Sequence, residues 1–147
     1  MLLKLMPEQI ARYWEGVFKN SMQATLPPIV GESPDRMNNI LESFLAGGLV
    51  MWLSYTKEDS IKVSGFIVTQ IVADDPSKTK SLLIYSVYSP DGSSDREWAE
   101  GFAGLCEYAR ATKCNRITAY SNVEQIFKRA EQFGGDISYR FISFPMV

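Results

Sequence analysis

The sequence predicts a single α+β domain over residues 1–147, with a mostly antiparallel sheet, one parallel crossover and four flanking helices. Segments with the twofold periodicity of strands alternate with segments of helical periodicity, and no linker or low-complexity tract separates them. The chain length suits one packed core. Hydrophobic residues make up 46% and charged residues 22%, close to the globular average.

The N-terminal third predicts a short strand and two helices. Met1–Met6 reads as the strand, and Pro7 suits the first position of an amphipathic helix of about fifteen residues. Ser33 is the expected N-cap of the second helix, which Gly47-Gly48 would end. The expected buried residues of the two helices are Ile10, Trp14, Val17 and Phe18, and then Met37, Ile40, Leu41, Phe44 and Leu45.

Three strand-like runs follow, joined by polar turns. Leu49–Tyr55 and Ile61–Ala73 are rich in β-forming residues and flank the turn at 57–60, so they predict an antiparallel hairpin. After a second turn at 74–78, Leu82–Tyr88 reads as a strand buried on both faces. We expect this strand at the centre of the sheet.

The C-terminal part predicts a helix, a strand and a further helix. Ser94-x-x-Glu97 is a capping-box pattern that opens a helix with Trp98, Phe102, Leu105, Cys106 and Ala109 on one stripe. Arg116–Tyr120 then predicts the strand that receives the parallel crossover.

A second capping-box pattern, Ser121-x-x-Glu124, opens the last predicted helix, which Gly134-Gly135 would end. The residues that follow, Ser138–Phe144, are rich in aromatic side chains and predict the final strand.

The charge balance excludes several classes of function. Lys and Arg total 15 against 17 Asp and Glu, with the signs interspersed, so the chain has no basic stripe for nucleic acid. The apolar N-terminus ends at Pro7, far short of a membrane span. We therefore expect a cytoplasmic protein with neither nucleic acid nor membrane as a partner.

The reactive side chains are few. Cys106 and Cys114 lie about 12 Å apart if both follow one helix, beyond disulfide reach, so reduced thiols are expected. The chain has no histidine, which removes the commonest general base and the commonest zinc ligand. The adjacent carboxylates Asp74 and Asp75 belong to a turn and define no coordination shell, so we expect no metal site.

The order of the predicted elements resembles the GNAT (N-acetyltransferase-like) superfamily. Three stretches carry the resemblance: Leu82–Val87 resembles the family's central strand, Glu107–Arg110 the end of its cofactor helix, and Asn122 to Gly134 its last helix. In that family the central strand separates from its parallel neighbour and pairs with the pantetheine arm of acyl-CoA. A glycine-rich turn opening the next helix gives its backbone N–H groups to the pyrophosphate.

Counting along that pattern reveals a departure. The two glycine positions fall on Arg96 and Trp98, whose side chains would keep the backbone away from a phosphate. Losing three charge-assisted hydrogen bonds would cost roughly 5–9 kcal/mol, while micromolar affinity is worth about 8 kcal/mol. Ser93, Ser94 and Arg96 could replace some of these contacts, and Asn122 could touch the pantetheine arm, as the resemblance implies.

The catalytic groups of the family are also missing from their usual places. Its frequent general acid, a tyrosine on the last helix, falls near Arg129 or Ala130, and the central strand has no acidic residue. Tyr85, Tyr88 and Tyr120 are the remaining titratable candidates, although a pKa near 10 makes tyrosine a poor base.

Two functional hypotheses follow from the resemblance. The first is a GNAT-fold protein with a degenerate acyl-CoA site, non-catalytic or weakly binding, and associated with a phage or prophage. Its likeness to small GNAT-like proteins of tailed phages depends on the Trp14 helix, Leu26-Pro27-Pro28, Trp52 and the Asn122 helix.

The second hypothesis is a divergent N-acyltransferase that uses acetyl-CoA or another acyl-CoA and acts on an amine by direct attack. Its partner would be the small amine, whereas the first hypothesis implies a protein partner and, if phage-encoded, a place in the virion. No cofactor is firmly implied, and homo-oligomerisation stays an open alternative.

Overall fold

The computed structural model describes residues 1–146, which form a five-stranded sheet with helices on both faces. The strands lie in sequence order: β1 (Leu2–Lys4), β2 (Val50–Lys57), β3 (Ile61–Asp74), β4 (Thr79–Tyr88) and β5 (Arg116–Ala119). All neighbours are antiparallel except β4 and β5, which are parallel. The α+β class and the single crossover are therefore confirmed. The centre of the sheet is β3 and not β4, because no strand follows β5 within residues 1–146.

Five α-helices and one π-helical turn accompany the described sheet: α1 (Pro7–Arg12), the π turn (Trp14–Phe18), α2 (Lys19–Ala24), α3 (Arg36–Leu45), α4 (Asp95–Ala111) and α5 (Glu124–Gln132). The first predicted helix is thus helical but divided, which raises the helix count from the expected four to five. In the π turn, the N–H of Phe18 donates to the carbonyl of Tyr13, five residues back. The wider turn rotates the apolar stripe, so Trp14 and Phe18 are buried while Val17 is exposed.

Each face of the sheet has its own core. On one face, α1, the π turn, α2 and α3 pack on β2 and β3, with Trp14 set edge-on against Phe44 at 6.1 Å between ring centroids. On the other face, Leu105 and Ala109 of α4 pack on Leu82 of β4. Leu45, expected at the end of the α3 stripe, is exposed instead, and both cysteines are free and half-buried.

Only one of the three predicted serine caps forms. Ser94 caps α4, and its hydroxyl accepts from the N–H of Glu97 at 3.1 Å. The predictions for Ser33 and Ser121 are wrong. Each hydroxyl accepts from an N–H two residues ahead, at Asp35 and Val123, and so closes a turn before the helix begins.

The predicted C-terminal strand is also wrong. Gly134, with φ of +83°, ends α5 as expected, and the N–H of Gly135 donates to the carbonyl of Ala130 at 2.8 Å. Beyond it, residues 136–146 form neither helix nor strand. Aromatic side chains favour a strand only when a neighbouring strand supplies the hydrogen bonds, and within residues 1–146 no ladder reaches this segment.

Candidate functional site

The parallel pairing of β4 with β5 ends before β4 itself does. Its register ends at Ile84 and Ala119, while β4 continues for four more residues to Tyr88. Tyr85 is the extra residue of a bulge, because Ile84 faces Thr69 of β3 and the next paired residue of β4 is Ser86. A bulge bends its strand and increases its twist, so the end of β4 turns away from β5. From Tyr85 onward, the backbone of β4 is unpaired on the side that faces β5.

The loop after β4 is closed by contacts of its own. The N–H of Gly92 donates to the carbonyl of Ser89 at 3.1 Å, and Gly92 has φ of +75°, which suits glycine. The hydroxyls of Ser89 and Ser93 lie 2.7 Å apart. The predicted ligand Ser93 is therefore engaged within the loop, and the loop's one glycine shapes a turn ahead of α4.

The first turn of α4 already holds negative charge. Glu97 completes the capping box by accepting from the N–H of Ser94 at 3.2 Å, and Asp95 stands beside it. Hydrogen bonding lowers the pKa of the Glu97 carboxyl, chiefly through the Ser64 hydroxyl and then through the Ser94 N–H. Carboxylates in the first turn satisfy the helix dipole. They supply the negative charge that a bound anion would otherwise supply there.

Arg96 is directed along the helix toward Glu100. Its Nε donates to Oε1 of Glu100 at 2.9 Å, and the charged N-terminus of Met1 lies 3.3 Å from the other carboxylate oxygen. The hydrogen bond from Arg96 is the main reason that the pKa of Glu100 is lowered. The Arg96 side chain is 87% exposed, so it is a surface ion pair and not a preformed phosphate ligand.

Arg129 joins α5 to this first turn, a contact that the sequence does not indicate. Its Nη1 donates to the carboxylate of Asp95, and its guanidinium lies 5.8 Å from the centroid of the Trp98 ring. The Arg129 side chain is only 13% exposed. Phe102 and Phe133 stack beside this contact with ring centroids 4.8 Å apart. Together these contacts, which we call the α4–α5 clasp, hold the last helix against the beginning of α4.

The only hint of Arg129 in the sequence is its place where the family has a tyrosine. Counting positions does not indicate where the Arg129 side chain points, and its partner Asp95 lies 34 residues earlier in the chain. The salt link is therefore a result of the tertiary fold.

The three tyrosines proposed as titratable groups lie in separate settings. Tyr85 is half-buried, and burial raises the pKa of its phenol, so it is protonated at neutral pH. Tyr88 packs on Phe66 at 5.2 Å between ring centroids. Tyr120 is 41% exposed and meets Phe141 edge to face. Asn122 is exposed and directly precedes Val123, the N-cap of α5.

A groove of about 440 Å³ adjoins Tyr85 on the face covered by α3. The segment 29–33 forms one wall, and Asn39 and Gln70 contribute amide groups. Arg36 also lines the groove and pairs with Glu32 at 3.6 Å. The groove thus presents polar groups of both charges beside a phenol.

The chain fits one end of an acyl-CoA and not the other. The free edge of β4 past Ile84 matches what a pantetheine arm requires. The first turn of α4 does not match a pyrophosphate, since Glu97 and Asp95 place negative charge there and both nearby arginines are paired. Among residues 1–146, no group of His, Cys, Asp and Glu side chains is arranged to hold a metal ion. No helix in the same range is long and apolar enough to cross a membrane.

Comparison with known proteins places the fold. No protein-family model matches the chain, and no curated protein sequence does either. A probable acetyltransferase of known structure is similar over 100% of this chain and 98% of its own, with a TM-score of 0.69 and 16% identity. AAC(6')-Iy in complex with a bisubstrate analogue of CoA is similar with a TM-score of 0.66 and 15% identity, over 100% of this chain and 97% of its own.

A predicted acetyltransferase from Clostridium acetobutylicum, solved with acetyl-CoA, gives a TM-score of 0.63 at 12% identity, over 99% of this chain and 95% of its own. Identities this low establish architecture alone. The chain has the GNAT-like fold of these acetyltransferases.

Proposed function

We propose that this chain is a GNAT-fold protein with a degenerate acyl-CoA site, which acts by binding and not by ordinary acyl transfer. The observation that carries the proposal is the first turn of α4. The capping box and the α4–α5 clasp lie at this turn, to which the family resemblance assigns the pyrophosphate.

Local charge supports this proposal. The loop and first two turns of α4 carry four carboxylates, on Asp91, Asp95, Glu97 and Glu100. The three positive charges nearby, on Arg96, Arg129 and the N-terminus of Met1, are each already paired with one of them. Two unit charges 4 Å apart near a protein surface interact by about 4 kcal/mol. A pyrophosphate entering this region would meet net repulsion where the family offers backbone donors.

The settings of the three candidate tyrosines agree with a binding role. Tyr85 is held protonated by burial, and Tyr88 and Tyr120 are engaged with aromatic neighbours. A phenol with a raised pKa can donate a hydrogen bond but cannot readily accept a proton from an amine.

The finer part of the proposal is association with a phage or prophage, through a protein partner. It depends on the sequence likeness at the Trp14 helix, Leu26-Pro27-Pro28, Trp52 and the Asn122 helix. The neighbouring genes test it directly, and a gene outside any phage-like cluster would remove this part.

A second candidate, a divergent acyl-CoA-dependent N-acyltransferase acting on an amine, is favoured by a different observation. The free edge of β4 beyond Ile84 and the adjoining polar groove at Tyr85 would suit a thioester arm and an acceptor. This candidate requires that the pyrophosphate be held outside the first turn of α4.

Comparing acetyl-CoA with S-acetylpantetheine separates the two candidates, since only the first ligand has a pyrophosphate. Binding is followed by calorimetry and by tryptophan fluorescence, to which Trp98 beside Arg129 contributes. The degenerate site predicts equal, weak affinities, within about threefold. Acetyl-CoA binding at least tenfold tighter, with turnover on a panel of amines, would establish the enzyme. No signal with either ligand at millimolar concentration would exclude it.

A variant tests whether the α4–α5 clasp lowers the affinity for acetyl-CoA. Asp95→Asn removes one carboxylate and releases Arg129, so the affinity for acetyl-CoA should rise roughly fivefold, about 1 kcal/mol. The affinity for S-acetylpantetheine should not change. Asp91→Asn is the matched control, because it removes an equal charge from the loop just before α4 without breaking the clasp. Equal effects of the two variants would show that overall charge, and not the clasp, decides affinity.

A further inference from the structure

The last eleven described residues, 136–146, present an uncovered apolar surface. Five large side chains in this C-terminal segment are 46–91% exposed: Tyr139, Phe141, Ile142, Phe144 and Met146. At roughly 200 Å² for each large apolar side chain, they leave about 700 Å² open to solvent. That area is close to the roughly 800 Å² that each partner contributes to a standard protein interface.

The C-terminal segment has the composition of a strand but none of its hydrogen bonds. Residues 138–144 are mainly aromatic and β-branched, carry the single charge of Arg140, and are bounded by the glycine pair and Pro145. Within residues 1–146, the only hydrogen bond donated by the segment's backbone runs from the N–H of Ser138 to the neighbouring carboxylate of Asp136, at 2.9 Å.

The sheet offers a matching edge. β5 pairs with β4 on one side only and is the last strand in the described order, so its other side is an open row of backbone donors and acceptors. The helix before the segment is also poorly covered, since no residue of α5 is fully buried.

We infer that the C-terminal segment is an interaction surface for a second copy of this chain. Residues 138–144 of each protomer add to the open edge of β5 in the other, so that the sheets gain a strand by exchange. Edge and segment are both present on every chain, so two copies satisfy both at once. Such a contact is isologous and closes as a dimer. The exchange pairs the free backbone and covers the exposed side chains within the added strand, Tyr139, Phe141, Ile142 and Phe144.

The principal competitor is pairing within one chain. Phe141 already touches Tyr120, the residue just after β5, with ring centroids 5.4 Å apart. A shift of the segment would place it against its own β5 and leave a monomer. The experiment must therefore distinguish pairing that depends on concentration from pairing that does not.

The test compares two double variants by light scattering after size-exclusion chromatography. We expect the wild-type chain to show twice its mass of 16.6 kDa, and Ile142→Asp with Phe144→Asp to show the single mass. The control is Ile61→Asp with Val63→Asp, which changes two side chains of similar exposure on the β2–β3 hairpin and should remain dimeric. Circular dichroism verifies that each variant is folded.

Three outcomes would overturn the inference. These are a wild-type monomer at several hundred micromolar, a dimer that survives the C-terminal variant, and a control that also becomes monomeric. Amide hydrogen exchange supplies the remaining distinction. Protection of residues 139–144 should disappear on dilution below the dimer dissociation constant, and protection that persists in the monomer would place the segment on its own β5.

Discussion

Gly65 gives the sharpest test of how the sheet holds the candidate site. A Cβ at this position of β3 would lie 1.9 Å from the carbonyl oxygen of Tyr88 and 3.1 Å from Cα of Ser89. Both contacts are with backbone, which cannot rotate away as a side chain can. Restoring ordinary van der Waals contact requires the two strands to separate by about 1.5 Å. That movement would displace the end of β4 and the beginning of the loop that precedes α4.

The expected cost of Gly65→Ala follows from this separation. Overpacking against backbone costs about 1–3 kcal/mol, and a weakened hydrogen bond near the Phe66–Tyr88 pair adds about 1 kcal/mol. We expect a loss of roughly 2–4 kcal/mol in the free energy of unfolding. For a chain of this length the midpoint of thermal unfolding should fall by roughly 5–15 °C.

Urea unfolding followed by circular dichroism and tryptophan fluorescence measures this loss. Gly16→Ala is the matched control, because nothing lies within 4 Å of a Cβ at that position of the π turn. There the change should be neutral or stabilising by up to about 1 kcal/mol. The two substitutions are chemically identical, but only Gly65→Ala is expected to lower the free energy of unfolding. A Gly65→Ala variant within about 0.5 kcal/mol of wild type would refute the steric reasoning.

Two further predictions concern the start of α4. Ser94→Ala should lower the free energy of unfolding by about 1 kcal/mol, because the Ser94 hydroxyl accepts from the N–H of Glu97. Ser121→Ala, at the predicted cap that does not form, should change it by about a few tenths of a kcal/mol at most. Equal losses in chemical denaturation would contradict the assignment of caps. The pKa of Glu97 is lowered below its usual 4.5 in the folded chain, so its stabilising effect is complete above that pH and is lost as the pH falls through the folded value. The difference in unfolding free energy between wild type and Glu97→Gln should therefore be largest near pH 6 and shrink below pH 4.5, and a difference independent of pH would show that the Glu97 charge has no part in it.

The sequence predicted most of the fold because local patterns and the fold agree over most of the chain. The hairpin of β2 and β3, the crossover from β4 through α4 to β5, and the glycine end of α5 all follow from periodicity and turn residues. The Ser94-x-x-Glu97 box was predicted correctly because both partners lie within one turn of helix. The Ser121 box was predicted wrongly, because the Ser121 hydroxyl accepts from the nearer N–H of Val123.

The candidate site stays a prediction, and the sequence indicated its residues but not their contacts. The sequence indicated that Arg96 and Trp98 replace glycines at the beginning of α4, and therefore that a pyrophosphate would lose its usual donors. It could not indicate that Arg96 pairs with Glu100, or that Tyr85 belongs to a bulge. Side-chain direction and strand register depend on contacts between segments, which residue spacing does not contain.

What the sequence determined by itself is the order of elements, the absence of histidine chemistry and the departure from the glycine pattern, since each is a property of neighbouring residues or of composition. Two features were decided only by the tertiary structure. The clasp brings Arg129 to Asp95 across 34 residues, and Ser138–Phe144 stays outside the sheet despite its strand-like composition. A salt link needs two segments to meet, and a strand needs a neighbour to accept its hydrogen bonds.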